Sequence, residues 1–201
     1  MTSKVWNTDQ GYSTTIAAFE QSLEKLQTDY LDLYLVHWPK GVRSVETWKA
    51  LEELYKKGKI KAIGISNFLI HHLEEFLPNC KVVPAVNQYE FHPELLQPDL
   101  LEYCKKRGIQ PEAWSPIMKG KVNEVPLIQE LAAKYGKTPV QVTLRWDIQK
   151  GVVTIPKSVT PDRIISNADI FDFELSEEDM AKIDGLDKNG RIGFHPDKIP
   201  F

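Results

Sequence analysis

Residues 30–39, Tyr-Leu-Asp-Leu-Tyr-Leu-Val-His-Trp-Pro, run apolar for most of their length and then stop on a polar side chain. Leu31, Leu33, Tyr34, Leu35 and Val36 read as a strand covered on both faces, the condition met by parallel strands in α/β proteins. Pro39 has no amide hydrogen to give to a sheet, so the strand ends by Trp38 and leaves His37 at its C-terminal edge. In parallel α/β architectures that edge is where ligands bind. A single histidine there is more often a satisfied structural residue than a functional one, and the weight falls on whether the pattern recurs.

It does recur. Residues 1–6 read as a strand end and 7–11 as a turn, after which Ile16, Phe19, Leu23 and Leu26 repeat at helical spacing over 14–26. A second helix is predicted from Ser44 as N-cap to Gly58, with Lys56 and Lys57 in the last turn, where the helix dipole favours cations. Strands are expected over 60–65, 83–86, 109–114 and 152–155, followed respectively by Ser66-Asn67, Asn87-Gln88, Ser115-Pro116 and Lys157-Ser158. Helices are expected around 71–76, from Pro98 to Gly108, over 126–135 and 138–149, and from Asp162, with 119–125 as loop. Ser176 caps a last helix carrying Met180, Ile183 and Leu186. The tail 187–201, with Gly190, Gly193, Pro196 and Pro200, is expected to wander over the surface. His71 and His72, adjacent on a helix, point in different directions and read as surface residues.

Strand alternating with helix implies parallel strands joined by right-handed crossovers. Neither the GxGxxG fingerprint nor a P-loop is present. Polar residues ending strand after strand favour a closed barrel, whose strand ends meet on one rim, over an open sheet with one switch point. A chain of 201 residues, 42% hydrophobic, suits one domain over 1–201. The net charge of −3 offers no basic stripe for nucleic acid. No apolar run reaches about 18 residues and no signal-peptide core opens the chain, so the default is a cytoplasmic protein with no membrane partner. Cys80 and Cys104 lack CxxC spacing, and neither a disulfide nor a metal site is expected.

Together these residues resemble the aldo-keto reductase family, a (β/α)8-barrel group of nicotinamide-dependent carbonyl reductases. The matching segments are Thr2-Ser3-Lys4-Val5-Trp6, then 31–39 around Asp32-Leu33-Tyr34 and His37-Trp38-Pro39, and Gly64-Ile65-Ser66-Asn67-Phe68. Asn87-Gln88 followed by His92-Pro93, and Ile155-Pro156-Lys157-Ser158 with Arg163 and Asn167, complete a series in family order over nearly the whole chain. Trp114-Ser115-Pro116 and Phe171-Asp172-Phe173-Glu174-Leu175-Ser176 are similar to the bacterial diketogluconate and methylglyoxal reductase branch.

The resemblance implies hydride transfer from NADPH to a small carbonyl substrate, with a tyrosine, acidified by a lysine that pairs with an aspartate, delivering the proton. On it, Lys4 is that lysine and His37 the histidine that orients the carbonyl. Ser66, Asn67 and Gln88 hold the nicotinamide carboxamide, and Trp114, with Ser115 beside it, stacks on the ring. Lys157, Ser158 and Arg163 take the 2′-phosphate, which favours NADPH over NADH. Asn167 contacts adenine, although Ser166 stands where many members carry a glutamate. Without the resemblance, Lys4 reads as a solvated terminal cation, Arg163 as part of a charged surface helix, and the strand-end polar residues as helix caps.

The family's first two strands, which carry the aspartate and the tyrosine, would precede Met1. The expected fold is therefore an aldo-keto reductase TIM barrel lacking its first two strands and helices, with open edges that invite self-association. Tyr12 and Tyr34 match no family motif. Two functions remain in view: an NADPH-dependent reductase of small aldehydes and ketones with impaired turnover, or an inactive fragment that binds the dinucleotide or pairs with another protein.

Overall fold

The computed structural model describes residues 1–200, and Phe201, the end of the expected tail, lies outside the described residues. In chain order the elements of the first half are β1 (Thr2–Val5), α1 (Tyr12–Leu26), β2 (Leu31–Val36), α2 (Val42–Lys56), β3 (Ile60–Ser66), α3 (Ile70–Phe76) and β4 (Val86–Glu90). There follow α4 (Pro98–Lys106), β5 (Gln110–Trp114), α5 (Pro126–Tyr135), α6 (Pro139–Gln149), β6 (Val153–Thr154), α7 (Pro161–Ala168) and α8 (Glu177–Asp184). Two compact units result. One holds Met1–Gln88, Glu102–Gln110 and the segment from His195, and the other holds Tyr89–Leu101 and Pro111–Phe194.

In the first unit β1, β2, β3 and the start of β4 lie side by side in that order, all parallel. Lys4 stands opposite Leu35, Leu35 opposite Gly64, and Ser66 opposite Gln88. Paired residues on parallel strands point the same way and alternate residues share a face. Lys4, Leu35, Gly64, Ser66 and Gln88 therefore occupy one face of the sheet, joined by His37, whose amide extends the ladder to the carbonyl of Val5. The opposite face carries Val5, Tyr34, Val36, Ile63 and Ile65, all buried. Helices cover that second face: Phe19 of α1 meets Tyr34 edge-on at 5.6 Å, and Trp48 of α2 meets Phe76 of α3 at 5.4 Å.

In the second unit β5 pairs in parallel with β6. Its core holds Phe91 stacked on Trp146 of α6 at 5.2 Å. Asp179 of α8, buried, accepts hydrogen bonds from Lys134 and Tyr135 of α5 and so fastens those helices together. The predicted caps are present: Thr138 and Gln141 form a reciprocal capping box at α6, and the Ser176 hydroxyl accepts the Asp179 amide at α8.

Several expected boundaries move for identifiable reasons. β4 begins at Val86 rather than Val83, since Pro84 has no amide to pair, and it runs on to Glu90, so Asn87 and Gln88 lie inside the strand and not beyond it. α2 begins at Val42 after Gly41, and Ser44 is not its cap. The Ser44 hydroxyl instead accepts the Lys40 amide and donates to Gln10. The stretch expected as a loop over 119–125 is a kinked 3-10 run, Met118–Glu124, with left-handed backbone at Lys119 and Gly120. The strand expected over 152–155 pairs only at Val153–Thr154. The tail is anchored rather than loose, as Pro196 is buried and 191–193 are held by Glu90. His71 and His72 do not diverge: their rings lie 4.0 Å apart.

Gly64 is required by the close approach of three strands. A Cβ there would lie 2.6 Å from Leu35 Cδ2 and 2.9 Å from the Val86 carbonyl oxygen. Gly64→Ala is expected to destabilise the protein by about 1–3 kcal/mol through overpacking, read as a lower urea midpoint at unchanged m-value. An unaltered midpoint would show that the strands can separate freely at this point.

Candidate functional site

The residues singled out in the sequence fall in both units. In the first, Lys4, His37, Ser66 and Gln88 share one sheet face at or near the strand ends, as the register requires. The Ser66 hydroxyl donates to the Gln88 carbonyl at 2.7 Å. Asn67 adopts a left-handed backbone, φ 66°, which asparagine tolerates better than most residues. That turn lets its amide donate to the Gln88 carbonyl at 2.8 Å while its side-chain nitrogen donates to the His37 carbonyl at 3.0 Å and to Ser66 Oγ at 3.1 Å. The tips of β2, β3 and β4 are thus tied together by the same side chains that the resemblance places on a carboxamide.

His37 is half-buried, with the Trp6 ring edge-on at 4.9 Å. Burial, and secondarily the Lys4 ammonium, push its pKa down to about 4. It is therefore neutral at pH 7 and offers one N–H donor without a charge. The segment after it is fixed by a residue with no sequence signal: Gln10 Nε2 donates to the Trp38 carbonyl at 2.7 Å, and Gln10 Oε1 accepts from Ser44. No spacing rule links Gln10, Trp38 and Ser44, so only the fold reveals them.

The two phenols that match no family motif, Tyr12 and Tyr34, also lie in this unit. The Tyr12 hydroxyl, on the exposed first turn of α1, donates to Glu53, and that bond raises its pKa above the ordinary value. Burial raises the Tyr34 pKa as well.

In the second unit Trp114 ends β5, and Ser115 after it takes a left-handed backbone, φ 55°. The indole is packed against Gly193: a Cβ on that glycine would lie 2.3 Å from Trp114 Cη2. Glu90, which the sequence did not mark, holds the glycine in place. Its buried carboxylate accepts the amides of Ile192 at 2.6 Å and Gly193 at 3.2 Å and meets His92 Nε2 at 3.2 Å. Burial pulls the Glu90 pKa upward, but His92 and these amides outweigh it and leave the carboxyl below its ordinary range.

A cavity of about 520 Å3 opens beside β6 and α7, lined in part by Pro156, Lys157, Ser158 and Asn167. Arg163 stands exposed at the third position of α7. An ammonium, a hydroxyl and a carboxamide around an apolar floor of Ile148, Ile164 and Phe171 are a donor set suited to a phosphate and a purine.

The aldo/keto reductase family model matches residues 1–188. The chain belongs to the aldo-keto reductase family. Over 201 residues it is 61% identical to a glyoxal reductase of Bacillus subtilis, covering all of this chain and 73% of that protein. It is 45% identical to the methylglyoxal reductase DkgA of Escherichia coli over 99% of this chain and 73% of that one. The branch expected from Trp114-Ser115-Pro116 is the one in which these bacterial relatives lie. A crystal structure of a Gox0644 mutant in complex with NADPH superposes with a TM-score of 0.95 at 46% identity, covering 100% of this chain and 75% of that one. The fold is accordingly that of the family's (β/α)8 barrel over the part that this chain spans. Among the described residues no helix is long and apolar enough to cross a membrane.

Two outcomes follow for this aldo-keto reductase. A histidine with an unfolded-state pKa near 6.5 and a folded value of about 4 binds more protons when unfolded, so its contribution to stability is present above pH 6.5 and lost as pH falls towards 4. NMR titration should find the His37 imidazole neutral down to about pH 4, with Lys4→Met raising the midpoint; a midpoint near 6.5 in the parent chain would contradict the burial. Glu90→Gln should cost about 1.5–3 kcal/mol, the range for hydrogen bonds to a charged group, and speed amide exchange at Ile192 and Gly193. Unchanged exchange would mean that the segment is held by other contacts.

Proposed function

We propose that the chain is an NADPH-dependent carbonyl reductase acting on small aldehydes of the glyoxal and methylglyoxal type. The observation that carries this reading is the single sheet face bearing Lys4, His37, Ser66 and Gln88, with His37 held neutral. Bound reduced nicotinamide supplies the hydride. The side chains of Ser66, Asn67 and Gln88 offer the donors and acceptors that a carboxamide needs, and Trp114 offers a flat apolar surface for a ring. Lys157, Ser158 and Arg163 would take the 2′-phosphate and Asn167 the adenine.

On this reading the neutral His37 donates its N–H to the substrate carbonyl oxygen and fixes its direction. The Lys4 ammonium stabilises the negative charge that grows on that oxygen. Neither Tyr12 nor Tyr34 is suited to supply the proton for the oxygen, since Tyr12 is engaged by Glu53 and both are shifted away from acidity. That observation favours slow turnover, and a dinucleotide-binding role without turnover is its limiting case. Self-association through sheet edges is a further part of the proposal, read out by sedimentation.

Tryptophan fluorescence titration should show tighter binding of NADPH than of NADH, and Arg163→Ala should narrow the difference. With methylglyoxal, NADPH consumption is expected to run at least about 10²-fold below that of the Bacillus subtilis glyoxal reductase, the low end of what a positioned acid contributes, and to be unaffected by Tyr12→Phe. Equal binding of the two cofactors would remove the phosphate pocket from the reading. Rates matching the relative, abolished by Tyr12→Phe, would make Tyr12 the acid.

A further inference from the structure

We propose that His71, His72 and Asp197 form a site for a divalent transition-metal ion that clips the C-terminal segment to α3. Asp197 lies more than a hundred positions from the adjacent pair His71 and His72, yet the three side chains converge. Asp197 Oδ1 lies 3.0 Å from His71 Nε2 and 3.0 Å from His72 Nε2, and the three donor atoms all fall within 4.8 Å of one another. Zinc bonds nitrogen and carboxylate oxygen at about 2.0–2.2 Å, which in tetrahedral geometry sets neighbouring donors roughly 3.4 Å apart. The observed spacing is within a few tenths of an ångström of that for both histidine–aspartate edges.

Neighbouring residues on a helix ordinarily point about 100° apart. Here the first turn of α3 brings them together. His72 is drawn inward because its Nδ1 accepts the Leu69 amide at 3.1 Å and its ring meets Phe68 edge-on, while His71 leans across it. His71 and Asp197 are about half exposed, at 53% and 41% of their side-chain surface, so an ion has a path from solvent and a water can complete the coordination. A third imidazole flanks the group, with His195 Nδ1 at 3.7 Å from Asp197 Oδ2.

Two imidazoles and one carboxylate suit zinc, nickel and copper and discriminate against magnesium and calcium, which prefer all-oxygen shells. In the metal-free arrangement the Leu69 contact leaves the His72 proton on Nε2, where Asp197 accepts it. Coordination at Nε2 moves that proton to Nδ1 and turns the Leu69 amide to water, so the site binds reversibly and less tightly than a closed structural zinc centre. The cysteines do not compete, because burial pushes the thiols of Cys80 and Cys104 up to about 12 and about 11 and keeps them protonated.

The test is calorimetric titration of tag-free, chelator-treated protein with zinc chloride, with cobalt absorption as a spectroscopic check on coordination and magnesium as control. One equivalent of zinc should bind, raise the melting temperature and protect the C-terminal segment from carboxypeptidase. Asp197→Asn and, on the exposed side where folding is not at stake, His71→Ala should each weaken binding at least about tenfold, the scale on which metal affinity responds even to outer-shell changes. The absence of saturable zinc binding, or binding unchanged in both variants, would overturn the site and leave the cluster as a hydrogen-bonded latch.

Discussion

The parallel register of β1, β2, β3 and β4 is the constraint on which the first unit depends. Because Lys4 pairs with Leu35, Leu35 with Gly64 and Ser66 with Gln88, the period-two alternation of a strand puts Lys4, Ser66 and Gln88 on one face, with His37 two residues beyond Leu35 on the same side. A slip of one residue in β3 would carry Ser66 to the helix side and bring Ile65 to the site. The helix side resists such a slip, since Val5, Val36, Ile63 and Ile65 are buried there almost completely. Apolar burial thus sets the register, and the register sets the site.

The second unit uses charge where the first uses pairing. β6 pairs over only two residues and can contribute little to positioning by itself. Glu90, by contrast, collects the amides of Ile192 and Gly193 and the imidazole of His92 in a place without solvent. A carboxylate left alone there would cost several kcal/mol, so the donors and the acid hold one another. The strap they make keeps Gly193 against Trp114, at a distance that no side chain but hydrogen allows.

Residues with short-range consequences were legible in the sequence. The covered strand ending at His37, the Thr138 and Ser176 caps and the strand–helix alternation each follow from local spacing, and each appears in the structure within a few residues of expectation. What the sequence hid depends on distant partners. Ser44 looks like a cap by its position before an amphipathic run, but Gln10 and Lys40 claim its hydroxyl. Val83 looks like a strand residue, yet Pro84 beside it has no amide to give, and pairing begins only at Ala85, whose amide donates to the Ile63 carbonyl. Glu90 and Gln10 act through contacts across many residues, which no periodicity encodes. His71 and His72 gain a shared partner only because Asp197 is folded back onto α3.

The electrostatics of His37 and Lys4 bear on the chemistry in opposite ways that can be weighed. Burial makes an imidazolium costly, and it would make an oxyanion at the same place costly too. The positive potential of Lys4 adds to the first effect and opposes the second. A proton on His37 is therefore discouraged twice, whereas negative charge on a carbonyl oxygen that accepts the His37 N–H is discouraged once and favoured once. For the proposed reaction that balance favours a neutral hydrogen-bond donor facing a developing anion, which suits hydride addition better than proton delivery, because an imidazole that resists protonation at pH 7 has no second proton to give. On that reading the proton comes from a group other than His37. Within this unit the Tyr12 hydroxyl is committed to Glu53, and Tyr34 lies on the helix-covered face of β2, opposite to Lys4. On the proposed reading, the sheet face assembled by the register orients a carbonyl and stabilises charge on it, and the arrival of the proton is the step these two side chains leave to another group.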